Sequence, residues 1–174
     1  MINERADPDA GIAGYQELVN FEIDAVTFAA DWGHCDQMSS HLANLVSYKR
    51  RDPLFYSNLL SSVLNELLEI AFRMHAPGGH VACRIMHAGP ADRIMVTIPS
   101  DTKVKSFFEE AVALTREGDV RDRYVNCLLD EEAFDMRTGL LELAVDYQAR
   151  LSVEPDGEGA IRLVADLVLE GPET

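Results

Sequence analysis

The stretch SNLLSSVLNELLEIAFRMH, residues 57–75, carries the strongest secondary-structure signal in the chain. Its apolar side chains recur every three or four residues, which is the spacing of one face of an α-helix. They are Leu59, Leu60, Val63, Leu64, Leu67, Leu68, Ile70, Ala71 and Met74. Asp52 and Pro53 supply a capping residue and a first-turn proline, and the sequence APGG at 76–79 ends the pattern. These features predict one amphipathic helix over residues 53–75.

Shorter elements are predicted on both sides of this helix. Upstream, β-branched and aromatic residues predict a strand at 19–30, and a helix follows within 35–50 with Asp36 as its N-cap. The downstream elements are a hairpin within 80–99, helices beginning near residues 100, 120 and 138, and a hairpin within 151–170. The order βααββαααββ predicts an α/β protein of the α+β type. We expect a two-layer sandwich whose mixed, mainly antiparallel sheet is covered on one face by helices.

Length and composition narrow the functional classes. The 174 residues predict a disordered tail at 1–13 and a single domain at 14–174. The formal net charge of -15 disfavours binding to nucleic acid and to membrane surfaces, because both are anionic, and it favours a basic protein partner.

Cysteine usage and hydropathy predict a cytoplasmic location. Cys35, Cys83 and Cys127 are widely separated and form no CxxC pair, which is typical of a reducing compartment. Cys83 and Cys127 lie in apolar stretches and are expected to be core residues. The N-terminal segment lacks the apolar centre of a signal peptide, and no apolar run approaches the ~18–20 residues of a membrane span.

Three short sequence motifs lie in or next to the predicted helices and strands. In NELLEIAFRMH, Glu66 is followed four residues later by Ile70. In VTIPSDTKVKS, Asp101 follows a predicted strand, and in RTGLLELAVDY, Gly139 precedes an apolar helix. With the element order, these residues resemble the ATP-binding domain of the GHKL group, which includes histidine kinases, anti-sigma-factor serine kinases and gyrase. The leader at 19–50 resembles the small SiaB-type regulators, and histidine phosphotransferases are similar in outline.

The resemblance implies a Bergerat-like fold and a role for each of these positions. Glu66 corresponds to the water-positioning base, Ile70 to the asparagine that binds Mg²⁺, Asp101 to the aspartate that reads adenine, and Gly139 to the phosphate loop. Isoleucine cannot ligate a metal ion, Asp101 has no glycine after it, and one glycine cannot form the nest of N–H groups that holds a triphosphate. The four positions are therefore expected to be vestigial, with no catalytic residue, cofactor or metal ion.

Each candidate residue also has a structural interpretation. Glu66 lies at the border of the apolar stripe, where its carboxylate can reach water, and Asp101 suits a helix cap. His41 is the candidate phosphoacceptor on a predicted helix, but Leu42 follows it where an acidic residue is usual. Four further residues have a spacing that matches no known zinc pattern. They are His34, Cys35, Cys83 and His87.

Two charged segments are candidates for contact. The basic cluster YKRR at 48–51 complements the C-terminal dipole of a helix, and DEEAFD at 130–135 is an acidic segment. The basic cluster is interpreted as this complement, and the acidic segment as a solvated loop or a contact for a basic partner helix. A homodimer contact that joins the basic cluster of one subunit to the acidic segment of another is the alternative.

The sequence favours a non-catalytic bacterial signalling or regulatory protein that acts by protein–protein contact on a degenerate GHKL-like frame. One alternative is a divergent ATP-dependent serine kinase of the SiaB type, which needs ATP and Mg²⁺. The other is a histidine phosphotransfer protein that acts through His41. The expected partners are a regulatory protein, favoured to be basic, and a second copy of the chain.

Overall fold

A single five-stranded sheet forms one layer of the protein. The fold was analysed in a computed structural model, which describes residues 13–130 and 136–170. The strands are β1 (Gln16–Asp24), β2 (His80–Ala88), β3 (Ala91–Pro99), β4 (Arg150–Pro155) and β5 (Ala160–Leu167). They lie in the order β1-β2-β3-β5-β4. All ladders of the described residues are antiparallel. The predicted two-layer α+β sandwich is confirmed, with an antiparallel sheet in place of the expected mixed one.

Six helices of the described chain accompany the sheet. They are α1 (Ala25–Ala29), α2 (Gly33–Ser47), α3 (Pro53–Arg73), α4 (Thr102–Leu114), α5 (Val120–Leu129) and α6 (Thr138–Asp146). Among the described residues, none of the helices combines the length and the apolar character that crossing a membrane requires. The tail expected at 1–13 lies outside the described residues except for Ala13, and so does the acidic segment except for Asp130.

Helix α3 is the central element of the core, as its periodicity predicts. Asp52 caps it by accepting a hydrogen bond from the Phe55 N–H at 3.0 Å. Seven of its apolar side chains are buried in one cluster with the strands. They are Leu60, Val63, Leu64, Leu67, Leu68, Ile70 and Ala71. Leu59 and Met74 lie at the margins of the buried face and are only partly covered.

The two faces of the sheet differ in character. One face supplies alternate residues of β2, β3 and β5 to the same core as α3, through side chains such as Val96 and Leu163. On the opposite face, Met86, Met95 and Val164 form a separate small cluster. Ion pairs flank this cluster, and they join Arg84 to Glu17, Arg93 to Asp166 and Arg162 to Asp156. The second face of the sheet is therefore covered by a mixture of apolar and charged side chains.

Three predicted boundaries are wrong, each for a local reason. The strand expected at 19–30 ends at Asp24, whose carboxylate accepts hydrogen bonds from the Val26 and Thr27 N–H groups and starts α1. Helix α2 begins at Gly33, so Asp36 lies in its first turn and is not the cap. Helix α6, expected to reach the end of TGLLELAVDYQAR, ends at Asp146, and Gln148 takes a left-handed φ of 53° before β4.

The burial of α3 predicts which leucines stabilise the fold. Leu67→Ala should lower the free energy of unfolding by about 2–5 kcal/mol, because it leaves a cavity in a closely packed core. Leu54→Ala is the matched control, since Leu54 lies in the first turn of the same helix and is 73% exposed. Urea unfolding of the two variants measures the difference. Equal losses for both would contradict this account of the core.

Candidate functional site

Three of the four positions that the resemblance singles out meet where α6 crosses α3. Gly139 lies in the first turn of α6 and approaches the α3 side chains of Glu66 and Ile70. A Cβ atom built on Gly139 would lie 2.6 Å from Glu66 Oε2 and 3.2 Å from Ile70 Cδ1. Both distances are shorter than normal contact, so a larger residue at position 139 would force the ends of the Glu66 and Ile70 side chains to shift. We call this contact the α3–α6 crossing.

Ile70 is buried, as expected for a core residue, with 4% of its surface exposed. It belongs to the same apolar cluster as the other α3 side chains. Its hydrocarbon side chain occupies the space beside Gly139 and has no atom that can ligate a metal ion. The crossing is therefore a packed contact at this point.

Asp101 has a different role in the structure. It is the N-cap of α4, and its carboxylate accepts a hydrogen bond from the Val104 N–H at 2.8 Å. This bond satisfies one of the N–H groups that the start of a helix leaves unpaired. Helix capping thus explains why a carboxylate is present at position 101.

Glu66 lies half-buried in an acidic environment. Burial, together with the negative charges of Glu142 and Glu69, raises its pKa from the ordinary value of 4.5 to about 7, and Arg73 opposes the rise. Burial also raises the pKa of Glu142, with a contribution from Asp146. The carboxyl groups of α3 and α6 are therefore crowded together, and Glu66 is a carboxyl group that takes up a proton near neutral pH.

Helix α5 extends this acidic environment. The Tyr124 hydroxyl donates a hydrogen bond to Asp146 Oδ2 at 3.3 Å and joins α5 to the end of α6. Burial, followed by the charges of Glu142 and Asp146, raises the pKa of Tyr124 to about 12. The nearby cation, Arg73, lies over the Trp32 ring at 4.4 Å and within 4.0 Å of Glu69. The site thus carries an excess of negative charge.

The hypothetical metal and phosphotransfer residues lie apart from the crossing. Within residues 13–130 and 136–170, no three histidine, cysteine, aspartate or glutamate side chains are placed to hold a metal ion. Of the four hypothetical zinc ligands, Cys83 is buried in the core and His34 Nδ1 lies 3.4 Å from the Phe28 carbonyl oxygen. His41 lies exposed on α2. Cys127 is only half-buried, so its expected core position is wrong because α5 buries no residue completely.

A second polar constellation, which the sequence did not predict, ties α2 and α3 to the β2–β3 hairpin. Asp92 is 1% exposed, and its Oδ1 atom accepts hydrogen bonds from the Tyr56 hydroxyl at 2.9 Å and from Arg50 at 3.1 Å. His87 Nδ1 lies 3.0 Å from the same oxygen. The Arg50 guanidinium also lies 4.3 Å from the centre of the Tyr56 ring and 3.6 Å from Glu170. We call these five residues the Asp92 network.

The Asp92 network corrects the interpretation of the basic cluster YKRR. Arg50 is not a solvated charge, since its side chain is only 8% exposed and paired with Asp92. One signal in the sequence pointed to the network. Asp92 precedes Ile94 by two residues and therefore falls on the core face of β3.

An open cleft of about 570 Å³ borders the acidic end of α6, and its lining includes Asp146, Tyr15, Arg93, Tyr147 and Arg150. None of the residues predicted as site positions lines it. This cleft therefore does not coincide with the four positions that correspond to a nucleotide site in the resemblance.

Comparisons with known proteins add no relative. No protein-family model matches the chain, and neither a curated protein nor a solved structure matches it.

The close approach at the α3–α6 crossing predicts that Gly139 cannot be enlarged. Gly139→Val should cost about 1–3 kcal/mol of unfolding free energy, because the new side chain overlaps Glu66 and Ile70. Gly118→Val is the control, since a Cβ at Gly118 meets no atom within 4 Å. Adding Ile70→Ala to Gly139→Val should recover part of the loss through non-additivity, measured by urea unfolding. Strictly additive losses would contradict the contact.

The raised pKa of Glu66 predicts a pH-dependent stability. Between pH 4.5 and 7 the folded state holds a proton that the unfolded state has lost, so stability falls as pH rises through this range. Glu66→Gln cannot ionise and should be more stable than the parent by about 1–2 kcal/mol at pH 8, after a discount for solvent screening. The parent and Glu66→Gln should be equally stable at pH 4. Glu22→Gln, on the exposed part of β1, is the control in thermal unfolding at both pH values.

Proposed function

We propose that the chain is a non-catalytic regulatory protein of bacterial signalling that acts by protein–protein contact on a degenerate GHKL-like frame. The observation that carries the proposal is the packing of Ile70 and Glu66 against Gly139. In the family that the sequence resembles, the corresponding helix carries the Mg²⁺ ligand and the corresponding glycine loop holds the phosphates. Here their counterparts are in direct contact.

Two physical effects oppose nucleotide binding at this crossing. A metal ion bridges and neutralises the phosphates in phosphoryl transfer, and the buried hydrocarbon of Ile70 offers no ligand for it. The carboxyl groups of Glu66, Glu69 and Glu142 would lie near a strongly anionic triphosphate, and burial together with their mutual repulsion already raises the pKa of Glu66. Both effects support a binding protein over an ATP-dependent enzyme.

The surface charge supports a basic protein as the partner. With 30 acidic and 15 basic residues, the chain attracts a basic protein and repels nucleic acid and anionic lipid. We propose a cytoplasmic regulatory protein as the partner.

A divergent serine kinase of the SiaB type is the second candidate, and one observation favours it. A general base works best when its pKa lies near the working pH, and Glu66 has a pKa of about 7 at the position of the family's base. In this candidate function, ATP and Mg²⁺ bind after α6 has moved away from α3.

Titration calorimetry with MgATP separates the two candidates. The parent protein should give no binding heat, and Ile70→Asn should give none either, because the glycine loop and the adenine-reading turn are also absent. The variant should lose about 1–3 kcal/mol of stability, since it buries an amide without a partner. Micromolar binding by the parent would favour the kinase. Binding by Ile70→Asn alone would mean that the cleft survives and that one side chain closes it.

A further inference from the structure

We infer that two copies of this chain join their sheets edge to edge, with strand β1 of one copy antiparallel to β1 of the other around a two-fold axis at Phe21. The inference goes beyond the proposed function, because it identifies a contact of the chain with itself and holds whether or not a nucleotide binds. Its basis is the outer edge of β1, with which no other strand within residues 13–130 and 136–170 pairs. An open strand edge is a template for pairing with another chain.

The two outer strands of the sheet differ in how their edges are protected. Strand β4 has six residues and ends in Pro155, which has no N–H group. Arg116 covers the β4 edge by donating a hydrogen bond to the Leu151 carbonyl oxygen at 2.7 Å. Such features block an open edge. Strand β1 has nine residues with neither proline nor lysine, and its bulge disturbs only the part before Val19. The edge of β1 therefore remains available over its C-terminal part.

One hydrogen bond shows which backbone groups of β1 point to this open edge. The Ala25 N–H donates to the Gly79 carbonyl oxygen at 2.9 Å, so residue 25 directs its backbone toward β2. In an antiparallel ladder this direction alternates from one residue to the next. The ladder between β1 and β2 is regular from residue 19 to residue 24. The N–H and C=O groups of Asn20 and Glu22 therefore point away from β2, toward a partner strand.

Strand β1 is complementary to itself when Phe21 lies opposite Phe21 of the second copy. Asn20 then lies opposite Glu22 of the second copy, and their outward backbone groups exchange N–H···O=C hydrogen bonds. On the core face, Val19 lies opposite Ile23, so apolar side chains meet apolar side chains. Val19, Phe21 and Ile23 pack against the core but are only partly buried in one copy. On the other face, the Asn20 amide donates to the Glu22 carboxylate.

The acidic residues of β1 favour this register over its neighbours. Glu17 is paired with Arg84 of its own chain at 2.7 Å, and the Asp24 carboxylate caps α1. A register centred on Glu22 would place two carboxylates opposite each other, and a register centred on Asn20 would include the bulge. The net charge of -15 on each copy does not prevent association, because salt at ~0.15 M screens charges more than ~8 Å apart.

Helix α2 supplies a second contact beside the strand pair. It contacts both β1 and α3, and the Ser57 hydroxyl donates to Asn44 Oδ1 at 2.7 Å, so Asn44 marks the side toward α3. Met38 and Leu45 lie on another flank, about 100–120° around the helix from Asn44. Leu45 is 51% exposed. Packed helices are about 8–10 Å apart, or about two strand spacings. A helix layer that continues over the joined sheets therefore brings this apolar flank against its own copy.

A proline in the outer edge of β1 tests the strand pairing by sedimentation equilibrium at ~0.15 M salt. The full-length parent should form a dimer. Glu22→Pro should weaken association at least about tenfold, because it removes an outward N–H from each copy and its ring lies between the strands. The monomer does not use this N–H, so circular dichroism should show a folded variant. Glu22→Thr is the matched control at the same site. It keeps the N–H and should associate as the parent does.

Cysteine cross-linking tests the register and does not depend on the folding of Glu22→Pro. Asn20→Cys and Glu22→Cys are made separately in a Cys127→Ser background, since Cys35 and Cys83 are buried. In the inferred dimer, positions 20 and 22 are a hydrogen-bonded pair about 5.5 Å apart at Cα, which suits a disulfide. Two copies of the same variant place their cysteines about 7–8 Å apart. Under mild oxidation, the mixture should therefore cross-link at least about tenfold more than either variant alone.

Glu154→Cys, which is exposed on the opposite edge strand, is the control and should cross-link with neither variant. A parent that stays monomeric at all concentrations would overturn the inference, and this is also the result expected if β1 pairs with a strand of a different protein. Equal association of Glu22→Pro, once shown to be folded, and Glu22→Thr would overturn it too. So would a mixture of Asn20→Cys and Glu22→Cys that cross-links no more than either variant alone.

Discussion

The burial of α3 is the constraint on which the rest of the structure depends. A 21-residue helix with a wide apolar face must be covered by several neighbouring elements to remove that face from water. The sheet covers one side through β3, while α2 and α6 pack along its flanks. Each fully buried leucine contributes about 1.5–3 kcal/mol relative to an exposed one. Leu60, Leu64, Leu67 and Leu68 alone therefore account for a large share of the stability.

The Asp92 network sets the position of α3 at its N-terminal end. Asp92 and Arg50 are 42 residues apart in the sequence, and with Tyr56 and His87 they join the α2–α3 turn to the β2–β3 hairpin. A buried ion pair gains little over an apolar contact, but removing one partner leaves an expensive unpaired charge. The Asp92 network therefore contributes mainly by disfavouring other conformations of the α2–α3 turn. It also explains why neighbouring side chains such as Tyr48 and Phe55 face solvent, because the inward positions are already occupied.

Close packing at the α3–α6 crossing is also relevant to function. Gly139 allows α6 to rest on Ile70 and Glu66, and the carboxyl groups of the two helices become crowded. A tightly packed crossing suits a stable frame better than a cleft that must admit a triphosphate. Seven of the ten large apolar side chains that are exposed in the described part of the chain lie instead at the α2–α3 turn and on α5. This distribution supports a protein that works through its surface.

The sequence by itself determined most of the elements. The periodicity of residues 53–75, the caps at Asp52 and Asp101 and the two hairpins follow from interactions within a few residues, and the structure contains them all. The local sequence pattern predicted a strand at residues 25–29, and this was wrong because Asp24 caps a helix inside the β-branched run. It predicted the burial of Ile70, but it assigned Arg50 to the surface and Cys127 to the core.

Only the tertiary structure decided how these elements meet. Contact between Gly139 and Ile70 joins residues far apart in the sequence, and neither residue's neighbours indicate the distance between the helices. The pKa of Glu66 depends on Glu142, which another helix supplies. The acceptor role of Asp92 depends on donors from the α2–α3 turn and from α3, namely Arg50 and Tyr56. Secondary structure is set by hydrogen bonds and side-chain spacing along a short segment, whereas packing distances, burial and charge repulsion arise only when separate segments are brought together.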